Sequence, residues 1–70
     1  MSYKEWRKNI TLDDKTNACF AGTRVTVAQV AKLAQQGVTY NELFGDFPFL
    51  TTQDIRYAVM YYNNAPFSNL

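Results

Sequence analysis

Apolar residues recur at helical spacing in three stretches of the chain, and each stretch begins at a threonine. The first stretch predicts a helix whose buried face comprises Val27, Val30, Ala31 and Ala34, with Leu33 widening it. Thr26 begins this helix because its hydroxyl can accept a hydrogen bond from a backbone N–H of the first turn. Gly37 ends it, since glycine adopts the left-handed cap conformation without the steric penalty of a Cβ.

The second stretch opens with "TYNE", which is a capping box and predicts a short helix. In such a box the side chains of Thr39 and Glu42 each satisfy the other's backbone N–H. Leu43 and Phe44 then face inward. Pro48 ends the helix because the residue before a proline is biased away from helical backbone angles.

The third stretch opens with "TTQD", in which Thr51 is the cap and Asp54 takes the third helical position. Its predicted buried stripe is Ile55, Ala58, Val59 and Tyr62. The flanks and outer face carry Gln53, Arg56, Tyr57, Met60 and Tyr61. Three capped helices joined by short turns predict a mainly α fold, a trihelical bundle.

The amino-terminal part predicts a short β hairpin. Ile10 and Leu12 alternate with polar neighbours, "DDKTN" supplies turn chemistry, and "ACF" is a second extended piece that runs into Gly22. An isolated hairpin is barely stable in water, so it must lie on the helices or pair across a dimer. We expect a single domain over residues 1–70, with residues 1–5 and 65–70 flexible.

Size and aromatic content indicate a partner. A chain of 70 residues buries only about 60 % of the surface that its unfolded form exposes, so help from a second chain is expected. Aromatic residues make up 16 % of the chain, which is more than three short helices hide easily. Because interfaces concentrate these residue types, the excess predicts a contact surface and a homodimer.

Charge and residue inventory narrow the chemistry. The net charge is +1, which excludes strong sequence-independent attraction to phosphate, although Lys4, Arg7 and Lys8 form a local basic patch. With no histidine and only Cys19, the chain offers neither a base beside a nucleophile nor a cysteine-based metal site. We therefore expect no enzyme activity, cofactor or metal. The lack of an apolar run long enough to cross a bilayer predicts a cytoplasmic protein.

The motifs "GTRVTV", "LAQQGVTYNEL" and "DFPFLTTQDI" follow one another in a fixed order and spacing. This order resembles the bacterial and archaeal family called domain of unknown function 433. The matching positions include Gly22, Thr23, Arg24, Gly37, Thr39, Glu42, Phe47, Pro48, Leu50, Thr51, Asp54 and Ile55. The resemblance implies a homeodomain-like helix-turn-helix fold with an amino-terminal β element. It also implies the role of antitoxin in a type II toxin–antitoxin pair with a PIN-like toxin.

The last two helices have the lengths of a helix-turn-helix, whose second helix enters the major groove. The candidate DNA-binding residues are therefore Thr52, Gln53, Arg56 and Tyr57, with Arg7 and Lys8 as phosphate contacts. The competing interpretation is a bare scaffold, because trihelical bundles are common without DNA binding.

Four residues are candidates for binding a protein partner: Trp6, Arg24, Tyr57 and Tyr61. The planar guanidinium of Arg24 could donate hydrogen bonds to a phosphate or a carboxylate of a partner. A structural role beside the turn at Gly22 is the favoured interpretation. The resemblance thus implies an antitoxin that binds and neutralises a PIN-like toxin, and the helix-turn-helix residues add operator DNA as a second candidate partner. The alternatives are a DNA-binding regulator, or a small adaptor, without a toxin partner.

Overall fold

The structure is a computed structural model that describes residues 2–11 and 14–63. Four helices lie in this part of the chain, and they are α1 (Tyr3–Arg7), α2 (Val27–Gln35), α3 (Tyr40–Asp46) and α4 (Thr52–Asn63). The predicted mainly α fold class is confirmed, and α2, α3 and α4 are the three predicted helices. The predicted flexibility of residues 65–70 lies outside the described residues.

The predicted threonine caps are confirmed in all three of these helices. The hydroxyl oxygens of Thr26, Thr39 and Thr51 accept hydrogen bonds from the backbone N–H three residues later, at 3.1, 3.2 and 3.2 Å. Gly37 follows α2 with φ +96°, the left-handed conformation that the sequence predicted there. At α3 the hydroxyl of Thr39 accepts from the N–H of Glu42, and among the described hydrogen bonds the N–H of Thr39 does not donate to the Glu42 carboxylate.

The core is built mainly where α2 packs along α4. Its buried side chains come from every helix and from the loops, and they include Trp6, Phe20, Val27, Val30, Ala31, Leu43, Leu50, Ile55, Ala58 and Tyr61. The predicted stripe of α2 is confirmed at Val27, Val30 and Ala31, whereas Leu33 and Ala34 are half-buried.

The prediction for α4 is wrong at its two consecutive tyrosines. Tyr61, expected on the flank, is 2 % exposed, and Tyr62, expected in the core, is half-buried. The reason is α1, which covers the side of α4 that carries Tyr61. The rings of Trp6 and Tyr61 meet edge to face, with centroids 6.3 Å apart.

Sequence reasoning missed α1. The predicted flexibility of residues 1–5 concerns motion and stays a prediction, but residues 3–5 are helical and Tyr3 is buried. Ser2 caps the helix by accepting from the N–H of Glu5 at 3.2 Å. The sequence "SYKE" was the signal for this helix, because its hydroxyl and acidic residues have the same spacing as those of the capping boxes "TYNE" and "TTQD".

The predicted amino-terminal β hairpin is wrong for the described residues. Two isolated antiparallel bridges stand in its place, Ile10 with Phe20 and Cys19 with Thr26. The segment 18–21 pairs with residues 9–11 on one side and with residues 25–27 on the other. Tight turns on both sides of this segment leave too few paired residues for a continuous β ladder. Leu12, which was predicted in the first strand, lies outside the described residues.

One of these turns is organised by Asp14. Its Oδ1 accepts from the N–H of Thr16 at 2.9 Å and of Asn17 at 3.3 Å, and its backbone oxygen accepts from the N–H of Ala18 at 2.9 Å. The hydrogen bond from Thr16 is the largest cause of a pKa below the usual 3.8 for the Asp14 carboxyl. The turn fixes the residues that follow Asp14 against the amino-terminal end of α2.

We expect Thr39→Ala to lower the free energy of unfolding by about 1 kcal/mol, because the N–H of Glu42 would lose its cap. Urea unfolding followed by circular dichroism measures this change. Thr52→Ala is the matched control, since Thr52 is an exposed threonine inside the first turn of α4. An equal loss in both variants would show that the cap contributes nothing specific.

Candidate nucleic-acid interface

A complete capping box holds the first turn of α4. Thr51 Oγ1 accepts from the N–H of Asp54 at 3.2 Å, and Asp54 Oδ2 accepts from the N–H of Thr51 at 2.9 Å. These bonds satisfy two backbone N–H groups near the start of the helix, as the sequence predicted. The residues of this turn are therefore presented to solvent from an ordered backbone.

The same aspartate joins α4 to α1. Its Oδ1 accepts from the indole Nε1–H of Trp6 at 2.9 Å, across 48 residues of sequence. A hydrogen bond to a carboxylate contributes about 1.5–3 kcal/mol to stability, and more is lost when a buried donor is left unsatisfied. Trp6 is 2 % exposed, so this bond fixes α1 along one flank of α4.

Three exposed polar residues lie in the first two turns of α4. Thr52, Gln53 and Arg56 are exposed, and Arg56 lies three residues after Gln53 and four after Thr52. Residues at these spacings are neighbours on a helix surface. The structure therefore brings three of the four predicted DNA-binding residues of α4 together in one polar stripe.

The fourth residue, Tyr57, has a largely structural position. Its ring centroid lies 5.4 Å from that of Tyr3 and 5.7 Å from that of Trp6, and the side chain is half-buried. Such tilted ring pairs stabilise by about 0.5–1.5 kcal/mol beyond the area they bury. Tyr57 thus packs α1 against α4 and offers only part of its side chain to a ligand.

Basic side chains lie on the neighbouring helix α1 and directly after it. Lys4 and Lys8 are exposed, and Lys8 is the residue that follows the last residue of α1. Arg7 is half-buried, with its guanidinium carbon 5.9 Å from the centroid of the Tyr61 ring. Of the two predicted phosphate contacts, Lys8 is the more accessible, and Lys4 is an additional one that the sequence analysis did not select.

Two predicted partner-binding residues need correction. Trp6 and Tyr61 are each 2 % exposed and belong to the core, so neither presents a surface to a partner in this conformation. Sequence reasoning placed them outside because it did not include α1, which packs both rings against each other. Arg24 is exposed in the loop before α2 and remains a candidate.

The chemistry of the stripe is that of hydrogen-bond donors. Arg56 has a planar guanidinium that donates several hydrogen bonds, and Gln53 has an amide that both donates and accepts. Thr52 contributes a hydroxyl. The nearest acid, Asp54, has both oxygens engaged in hydrogen bonds.

Among residues 2–11 and 14–63, no three His, Cys, Asp or Glu side chains lie close enough to hold a metal ion. Within the same ranges no helix has the length and apolar character that crossing a bilayer requires.

Fold and surface together define a small, mainly helical domain with an exposed polar turn at the start of its longest helix. Residues 16–62, about two thirds of the chain, match the family described as protein of unknown function, DUF433. The chain therefore belongs to this family, and the resemblance drawn from its motifs is confirmed at that level. No curated protein and no solved structure shows a significant match to the chain.

We expect Trp6→Phe to lower the free energy of unfolding by about 1.5–3 kcal/mol, because the variant keeps an aromatic ring but loses the bond to Asp54. Urea unfolding followed by circular dichroism is the measurement, since Trp6 is the one tryptophan of the chain. Asp54→Asn should also destabilise, because an amide has one acceptor oxygen for two donors.

The double variant tests whether the two side chains act together. If both substitutions remove the same bond, the double variant is more stable than the sum of the single losses predicts, by about 0.5–3 kcal/mol. Glu42→Gln, the same acid-to-amide change at the third position of α3, is the control and should have little effect. Additive losses at Trp6 and Asp54 would contradict a direct bond between them.

Proposed function

We propose that this protein is the antitoxin of a type II toxin–antitoxin pair, acting in the cytoplasm as a homodimer. It binds and neutralises a PIN-like toxin, and it represses its own operon by binding operator DNA through α4. Membership of the DUF433 family supports this proposal through the resemblance described above. The observation that carries the DNA-binding part is the exposed Thr52, Gln53 and Arg56 stripe beside the basic α1.

The arrangement of the last two helices supports DNA binding as a helix-turn-helix. Residues 47–51 connect α3 to α4, so α4 is the second helix of the pair. In this class the amino-terminal residues of the second helix contact base edges in the major groove. Gln53 is suited to adenine and Arg56 to guanine, each through two hydrogen bonds. In a homodimer, two copies of α4 would read half-sites about one helical turn of DNA apart.

Lysines on α1 are suited to phosphate, which positions a protein without reading sequence. Lys4 and Lys8 are exposed there, whereas the overall charge of +1 contributes little general attraction. Affinity for DNA would therefore come from local contacts beside α4. Weak binding to unrelated DNA and stronger binding to the operator are expected from this distribution.

The toxin would bind residues that remain exposed outside α4. Arg24 is exposed before α2, and the rings of Tyr40 and Phe49 are 40 % and 42 % exposed. Arginine and aromatic side chains carry much of the binding energy in protein interfaces. These three residues replace Trp6 and Tyr61 as the candidate partner surface.

A DNA-binding regulator without a toxin is the second candidate. The polar stripe of α4 favours it independently, because that stripe needs no toxin to act. The two candidates differ in what the neighbouring gene encodes and in whether a PIN-like protein binds. A small adaptor that contacts neither DNA nor a toxin is the third alternative.

We expect Arg56→Ala to weaken binding to the upstream DNA by about 1–3 kcal/mol and to relax sequence preference, because a base contact is lost. Lys8→Ala should weaken binding to all DNA sequences to a similar degree. It should also reduce the slope of log affinity against log salt concentration by about one, because one phosphate contact is lost. Fluorescence anisotropy with a labelled upstream fragment at two salt concentrations measures both effects.

The control is Lys32→Ala, which removes the same charge from α2, away from the stripe. It should leave the affinity for DNA nearly unchanged. If the unmodified protein fails to bind the fragment even at low salt, both DNA-dependent functions are wrong.

We expect the PIN-like protein encoded by the adjacent gene to bind this chain, and Arg24→Ala to weaken that complex at least tenfold. Such a loss corresponds to a hot-spot contact of about 1.4 kcal/mol or more. Isothermal titration calorimetry gives the affinity. Arg56→Ala should leave it unchanged, so that the two variants separate toxin binding from DNA binding. The absence of any PIN-like gene beside this one would favour the regulator.

A further inference from the structure

A groove of about 440 Å³ lies between α2, the turn at residues 14–17 and the end of α4, and no residue of α1 lines it. Thr16 comes from the turn, Gln29, Lys32 and Leu33 from α2, and Tyr62 from α4. Pockets for small molecules span about 300–1,000 Å³, so this groove has the volume of a ligand site. None of the functions proposed above uses it.

Two lysines lie near one ring at the edge of this groove. The Nζ atoms of Lys15 and Lys32 lie 5.1 and 5.9 Å from the centroid of the Tyr62 ring. Lys32 lines the groove, and Lys15 immediately precedes the lining residue Thr16. Because both ammonium groups lie near the same ring, an anion beside that ring is attracted to both.

The described residues that line the groove carry no carboxylate. The acid beside Lys15 in sequence is Asp14, whose Oδ1 accepts from the N–H of Thr16 and Asn17 and whose Oδ2 accepts from the Asn17 amide. These bonds direct that carboxylate to its own turn, where it keeps its negative charge. Lys32 is the charged side chain among the described lining residues, and no acid lines the groove beside it.

The remaining walls offer an apolar surface with hydrogen-bond donors at its edge. Leu33 is half-buried and Ala28 is buried, and with the Tyr62 ring they form the apolar part. The exposed amides of Gln29 and Gln36 provide donors on the α2 side. A ligand that fits has one strongly anionic group and a flat, largely apolar body.

We propose that this groove binds a nucleoside monophosphate. The phosphate lies between Lys15 and Lys32, and the base packs against Leu33 and the Tyr62 ring, with its edge toward the amides of Gln29 and Gln36. Tyr62 is about 15 Å along α4 from Thr52, at ten residues and about 1.5 Å per residue. The site is therefore separate from the polar stripe, and the proposal does not depend on DNA or toxin binding.

Titration of the ¹⁵N-labelled protein with adenosine 5′-monophosphate, followed by two-dimensional NMR, tests the proposal. We expect saturable shifts confined to the amides of residues 14–17, 26–36 and 62. Adenosine and inorganic phosphate are titrated separately, and each alone should bind at least about tenfold more weakly, because each supplies one of the two contacts. Inorganic phosphate binding as tightly as the nucleotide would overturn the nucleotide assignment.

Lys32→Gln should weaken nucleotide binding about tenfold, since the phosphate would lose a hydrogen bond from a charged donor. Gln29→Glu should weaken it as well, by placing a negative charge in the groove. Lys4→Gln is the matched control, because it makes the same change on α1 and should leave binding within about twofold. Circular dichroism verifies that all three variants fold, which is expected because each site is exposed.

Two results would overturn the proposal directly. One is the absence of saturable shifts in the groove at millimolar nucleotide. The other is an equal loss of affinity in the Lys4→Gln and Lys32→Gln variants, which would indicate general attraction of an anion to a lysine-bearing surface.

Discussion

The carboxylate of Asp54 connects the two ends of the described chain. One oxygen accepts from the backbone N–H of Thr51 and the other from the indole of Trp6, at 2.9 Å in both cases. The first bond starts α4, and the second fixes α1 on its flank. Because a buried indole N–H without an acceptor is costly, α1 cannot leave this position while Trp6 stays buried. The exposed stripe of α4 is thus bounded on one side by α1.

This arrangement changes the meaning of the aromatic composition. Tyr3, Trp6, Tyr57 and Tyr61 pack against one another between α1 and α4, so their surface is buried within one chain. Aromatic content therefore gives weaker support for a partner, since α1 supplies the additional burial that three helices lacked. Among residues 2–11 and 14–63, the exposed rings left for a partner are Tyr40 and Phe49.

The sequence predicted what depends on neighbouring residues and missed what depends on distant ones. The caps at Thr26, Thr39 and Thr51 were predictable because each bond spans three residues. The burial of Tyr61 was not, because periodicity within α4 contains no information about a helix that packs from elsewhere in the chain. The stripe at Thr52, Gln53 and Arg56 was predictable as an exposed face, whereas the place of Lys4 on a helix was not, because α1 was not predicted. The hairpin failed because single bridges and ladders have similar local signals.

Asp54 and Tyr62 lie at opposite ends of α4, and their surroundings give the helix two surfaces with different chemistry. Near Asp54, the exposed donors of Gln53 and Arg56 project beyond a backbone that its capping box orders. Near Tyr62, two ammonium groups surround a ring at the edge of an apolar wall. Because α2 packs against α4 and also lines the groove, both surfaces are held by the same pair of helices. The residues of the stripe and those of the groove do not overlap, and Tyr62 lies about 15 Å along α4 from Thr52.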